Sequence, residues 1–147
     1  SGGGKSIQEQ QLAQTVVLYT ADGGENWVVK YKSTIQGQRG WKIHFATRDI
    51  GFISTEGATP EGAILKTVDG GLTWSVVAVD PGVSFEGLAF LDLNKGWVGS
   101  DQGLYATEDS GATWIKSDFG KSINRIRVLN ANLIVACGNK VYKWSPP

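Results

Sequence analysis

The sequence predicts an all-β protein built as a β-propeller, from blades of four antiparallel strands. Three observations carry this expectation. One turn motif recurs three times at blade-like spacing, the segments between copies divide into short strands, and helical periodicity is absent outside Ser6–Gln14. Self-similarity at a fixed period decides architecture before any other signal.

The motif copies are Thr20-Ala-Asp22-Gly-Gly24-Glu-Asn-Trp27, Thr67-Val-Asp69-Gly-Gly71-Leu-Thr-Trp74 and Thr107-Glu-Asp109-Ser-Gly111-Ala-Thr-Trp114. Each has Thr seven residues before Trp, Asp five before and Gly three before, and the tryptophans lie 47 and 40 residues apart. A second feature precedes the later copies: Phe45 is followed six residues on by Gly51-Phe52, and Phe90 by Gly96-Trp97. The longer first spacing is read as a surface loop inserted between Thr55 and Gly62.

Strands follow from composition and length. The second full repeat contains runs at about Phe85–Phe90, Gly96–Ser100, Gly103–Thr107 and Thr113–Ser117, short segments broken by glycine-rich turns. Four such strands per repeat of about 40 residues make one propeller blade. The turn itself joins the third strand to the fourth. Its Asp is placed to accept bonds from backbone N–H groups of the same turn, its Gly to adopt a positive φ, and its Trp to cover the turn with apolar surface. Asp22, Gly24, Trp27, Asp69, Gly71, Trp74, Asp109, Gly111 and Trp114 are therefore read as structural. One Asp per blade does not converge on a single ion, so no metal site is expected.

At 147 residues the chain has the size of one domain, with 41% apolar and 19% charged residues. Residues 1–14 are expected to be a flexible polar leader and 15–147 a partial propeller. Formal charge is zero, which argues against a nucleic-acid partner. Cys137 is the single cysteine, so neither an intramolecular disulfide nor a cysteine zinc site can form. No cofactor is expected. The sequence contains no methionine, so Ser1 is read as following a cleavage or as opening an excised fragment.

The run from Phe90 through Gly96-Trp97-Val98-Gly99 to Gly103, Thr107, Asp109, Gly111, Thr113 and Trp114 resembles the repeat of Ycf48-type photosystem II assembly and stability factors. Phe45 to Trp74 resembles it too, with Ser54 where that repeat has glycine. The turn motif alone, the Asp-box or BNR repeat, is shared with sialidases, sortilin-like receptors and some endoglucanases. The resemblance implies a seven-bladed propeller acting as a non-catalytic scaffold for photosystem II subunits. It also implies a thylakoid-lumen location, or a bacterial periplasmic or extracellular one. The alternative is a carbohydrate-binding or sialidase-type propeller fragment, with Trp41 or Trp97 stacking on sugars. Sialidase chemistry needs an arginine triad beside a Tyr/Glu pair and an acid. The chain offers Arg39, Arg48, Arg125 and Arg127 without the motif that would place them, so no enzyme is expected.

Counting strands predicts an open ring. Val16–Thr20 and Trp27–Lys32 read as the last two strands of one blade, two full blades follow, and Ile123–Val128, Leu133–Cys137 and Lys140–Trp144 give the first three of another. About three blades do not close a propeller. Either missing sequence or a second copy must complete it, and a homodimer is expected. On the innermost strands, Ile43 and Phe45 align with Leu88 and Phe90 as a packing face. The alternate positions hold Lys42 and His44 in one blade and Arg125 and Arg127 in another. These four are the candidate contacts for a protein partner, including a membrane-protein segment.

Overall fold

The computed structural model describes residues 13–57 and 62–145. Residues 1–12 of the expected leader and 58–61 of the expected inserted loop lie outside the described residues. The described strands are β1 (Val16–Tyr19), β2 (Val28–Lys32), β3 (Arg39–Phe45), β4 (Gly51–Glu56), β5 (Ala63–Thr67), β6 (Ser75–Ala78), β7 (Phe85–Phe90), β8 (Gly96–Ser100), β9 (Gly103–Thr107), β10 (Ile115–Ser117), β11 (Arg125–Asn130), β12 (Leu133–Cys137) and β13 (Val141–Trp144). They form a two-stranded sheet β1-β2, complete sheets β3-β4-β5-β6 and β7-β8-β9-β10, and a three-stranded sheet β11-β12-β13, all antiparallel.

Every connection within a sheet joins neighbouring strands, so each blade is a local meander whose turns set its register. Successive sheets stack face to face. The first strand of each approaches the first strand of the next, β3 against β7 and β7 against β11, as innermost strands around an axis do. Among the described residues the arc does not close.

Two cores lie between the stacked sheets. The first holds Phe52, Ile64, Phe85, Leu88, Val98 and Tyr105, all at most 2% exposed. Phe90 stacks on Phe52 across this interface at 4.2 Å, and Trp114 meets Phe90 edge-on at 6.1 Å. Stacked and edge-on aromatic pairs add about 0.5–1.5 kcal/mol beyond the area they bury. The second core gathers Ile123, Ile126, Ile134 and Ala136 against Ala89, with Trp97 and Trp144 at its border.

Main-chain bonds tie the blades together where the cores end. Ile123 N donates to Ser100 O at 3.0 Å, and Gly87 N donates to Ile123 O at 3.3 Å. Ile123 therefore sits so close to β8 that a Cβ on Gly99 would fall 2.2 Å from its carbonyl oxygen. Only glycine admits that approach.

The alignment of Ile43 and Phe45 with Leu88 and Phe90 holds in register but not in burial. Ile43 is 52% exposed and Phe45 39%, whereas Leu88 and Phe90 are buried. The repeat places all four on the same side of their sheets. Leu88 and Phe90 meet the preceding complete sheet, while Ile43 and Phe45 have only the two-stranded sheet on their side.

Candidate functional site

The three turns are built from the same hydrogen bonds. In the second, Thr67 Oγ1 donates to Asp69 Oδ1 at 2.8 Å and accepts from Gly71 N at 2.9 Å. Asp69 Oδ1 accepts from Thr73 N at 2.9 Å, Asp69 Oδ2 from Thr73 Oγ1 at 2.5 Å, and Trp74 Nε1 donates to Gly71 O at 3.1 Å. The third turn repeats the set with Thr107, Asp109, Gly111, Thr113 and Trp114. The first repeats it with Thr20, Asp22, Gly24 and Trp27, and Asn26 Nδ2 replaces the threonine hydroxyl.

Each carboxylate thus accepts three hydrogen bonds from its own turn. The Thr73 hydroxyl and N–H, then Thr67, hold Asp69 down to about 2. Thr113 and then Thr107 hold Asp109 down to about 2. Asp22 is lowered as well, by Asn26 N first and then Thr20. Their lone pairs face N–H and O–H groups of the turn, and among the described residues no group of three or more His, Cys, Asp or Glu could hold a metal ion.

The four candidate contacts are divided between two environments. Lys42 and His44 share one side of β3 and face the second complete sheet. His44 Nε2 accepts from Phe90 N at 3.3 Å, and its ring stacks on Phe90 at 5.9 Å. Burial, and then the charge of Lys42, push the imidazole below its ordinary value. A neutral acceptor is what that bond requires.

Arg125 and Arg127 lie on the far side of the three-stranded sheet, both exposed. Ile126, Ile134 and Ala136 occupy its covered side. Arg127 pairs in register with Val135, which pairs with Lys143, so a basic row crosses the sheet, with Arg125 beside it. Neither arginine forms a salt bridge among the described residues. The Glu86 carboxyl is pushed up by burial and by Glu56 and Asp101, with the charge of Arg125 opposing the shift. The row completed by Lys143 was not among the sequence expectations. Aligning β13 against β12 would have found it, because Lys143 falls opposite Val135.

Trp97, a candidate sugar platform, is turned inward between sheets and lies 6.1 Å from Trp144. Trp41 is 46% exposed on the open side of β3.

No family model matches the chain, and no curated protein matches it. Solved structures do match, among them two Ycf48 structures at probability 1.00. Ycf48 from Cyanidioschyzon merolae shares 20% identity at a TM-score of 0.62, over 88% of this chain and 44% of that one. A structure of Ycf48 bound to a D1 peptide shares 21% identity at a TM-score of 0.57, over 71% of this chain and 37% of that one. The chain has a Ycf48-like propeller fold.

The chain spans less than half the length of either Ycf48 structure. Its two complete Ycf48-like sheets and the partial sheets flanking them therefore correspond to an arc of that propeller. On this scaffold the candidate contacts Arg125 and Arg127 lie on the face of the last described sheet that corresponds to the Lys42 and His44 face of the first complete sheet, and the three turns lie on separate sheets.

Proposed function

We propose that the chain is a non-catalytic, protein-binding scaffold of the photosystem II assembly type, and that Arg125 and Arg127 with Lys143 form its contact surface. The observation that carries this reading is the exposed basic row on the far face of the three-stranded sheet. Arginine side chains there can donate to carboxylates and main-chain carbonyls of an incoming peptide without first breaking an ion pair. Support comes from a protein of the same fold that has been solved bound to a D1 peptide. Lys42 and His44 are less suited to direct contact, since the second complete sheet lies over their side of β3.

The test is binding of a fluorescently labelled D1-type peptide by anisotropy, with the Arg125→Ala/Arg127→Ala chain beside the wild type. A loss of at least about tenfold in affinity with an unchanged melting curve is expected. Equal affinity in both chains would remove the assigned surface. No binding by the wild type would remove the assigned partner class.

The open arc bears on assembly. We also propose that a second copy covers the open side of β3, because Trp41, Ile43 and Phe45 there are 46%, 52% and 39% exposed. Apolar strand faces of this kind are buried in a finished propeller.

A further inference from the structure

β7 is the inner edge strand of its sheet, so half of its main-chain groups have no partner on β8. Leu91 N donates to Lys95 O at 2.8 Å, which makes Phe90 and Gly96 the next, non-bonded pair of the ladder. The Phe90 N–H therefore points away from β8. It meets His44 Nε2 of the first complete sheet at 3.3 Å.

The other end of the same strand has a second tie to that sheet. Ser54 Oγ donates to Glu86 O at 2.5 Å. Both ties are made by side chains, and neither recurs at the next interface. Ala89 stands at the position of His44, since it pairs with Trp97 as His44 pairs with Phe52. Gly99 is the fourth residue of β8, as Ser54 is of β4. Main-chain bonds of Ile123 close that interface instead.

The two ties respond differently to a proton. A main-chain N–H can only donate, so His44 Nε2 must carry no proton while it accepts. The imidazolium has donors at both nitrogens, so the proton and the bond exclude each other. The Ser54 hydroxyl does not titrate, and its acceptor is the Glu86 main-chain carbonyl rather than the carboxyl. The charged residues on the strands around His44 are Arg39 and Lys42 on β3, Glu56 on β4 and Glu86 on β7, with Lys66 over the Phe52 ring. Burial comes first in disfavouring the charged ring, and then the charge of Lys42, with no carboxylate offsetting either. A protonated ring therefore gains by leaving the interface for water.

We propose that His44 and Ser54 form a two-point latch between the complete sheets, and that proton uptake by His44 frees the Phe90 end of β7 while the Glu86 end stays tied. The latch lies between two complete sheets and does not depend on the assignment of a partner or of the contact surface.

Amide hydrogen exchange of the ¹⁵N-labelled chain tests it, with each rate compared with the intrinsic rate at the same pH. Between pH 7.5 and 5.5 the protection of Phe90 should fall about two- to tenfold. That of Gly87, whose N–H donates to Ile123 O from the same strand, should hold. In His44→Gln, whose amide oxygen accepts at either pH, the protection of Phe90 should not change with pH. No fall at Phe90, an equal fall at Gly87, or the same fall in His44→Gln would overturn the latch. Should that variant not fold, the wild type decides: the Phe90 amide shift must follow the His44 ring resonances with one midpoint, and separate midpoints overturn the proposal.

Discussion

His44 Nε2 accepts the main-chain N–H of Phe90 at 3.3 Å, so a titratable side chain of the first complete sheet carries a bond to the second. Burial and the nearby Lys42 lower its pKa from the ordinary 6.5. Linkage gives the sign. Between the lowered folded value and 6.5 the unfolded chain binds more protons than the folded one, so stability rises with pH. The contribution is complete above 6.5, falls as pH drops through that window, and levels off below the folded value. Urea unfolding at pH 7.5 and 5.5 should show this loss. His44→Gln, whose amide oxygen can accept from Phe90 N, should flatten the slope. An identical pH slope in both chains would remove His44 as its source.

The turn carboxylates give a second pH dependence of distinct range. Asp69 and Asp109 are held down to about 2 by the threonines around them. Their contribution is full above the ordinary 3.8 and is lost as pH falls toward 2. Asp69→Ala should therefore melt lower than the wild type at pH 7, with the gap narrowing on acidification toward pH 2. Calorimetry across that range checks it, and a gap independent of pH would show that packing, not the charge, is responsible.

The turn glycines should differ in their tolerance of a methyl group. Gly24 has φ +102°, and an added Cβ would lie 3.7 Å from Trp27, an ordinary contact. Gly111 has φ +73°, but its Cβ would fall 2.8 Å from the Phe52 ring and 3.2 Å from Trp114. Gly24→Ala carries a positive-φ backbone cost without a clash, at the upper end of about 1–2 kcal/mol because +102° lies beyond the left-handed well. Gly111→Ala adds overpacking of about 1–3 kcal/mol. Chemical denaturation of the two variants should rank them in that order, and equal losses would mean that the Phe52 ring moves aside freely.

The contrast between those glycines shows what the sequence makes legible. Three copies of one turn placed the hairpins, and β7, β8, β9 and β12 begin and end at the residues where turn chemistry and strand length set them. Local signals suffice there because each blade is a meander of adjacent segments. Contacts between blades are another matter. Alternation puts His44 opposite Ile43, but nothing within β3 says that Phe90, 46 residues later, stands across from it. Equivalence in the repeat likewise suggested that Ile43 and Phe45 are buried. Their exposure depends on the neighbouring sheet, which no position in β3 encodes.

Tyr105 tests the inter-blade surface at a buried polar point. The residue is 2% exposed, its ring meets Phe85 edge-on at 5.2 Å, and its hydroxyl donates to Asp80 Oδ2 at 2.6 Å. Burial and the Asp80 carboxylate drive the phenol pKa well above 10, so the donor stays protonated across any range in which the protein folds. Tyr105→Phe keeps the ring and removes only the donor. A hydrogen bond to a charged group contributes about 1.5–3 kcal/mol. Asp80 lies at the margin, half-buried and able to recover water, which sets the expected loss at the lower end of that range. Asp80→Asn should lose less, because an amide oxygen still accepts from the hydroxyl. If Tyr105→Phe unfolds at the wild-type denaturant midpoint, the Tyr105–Asp80 bond merely occupies the rim and does not help to hold the two complete sheets together.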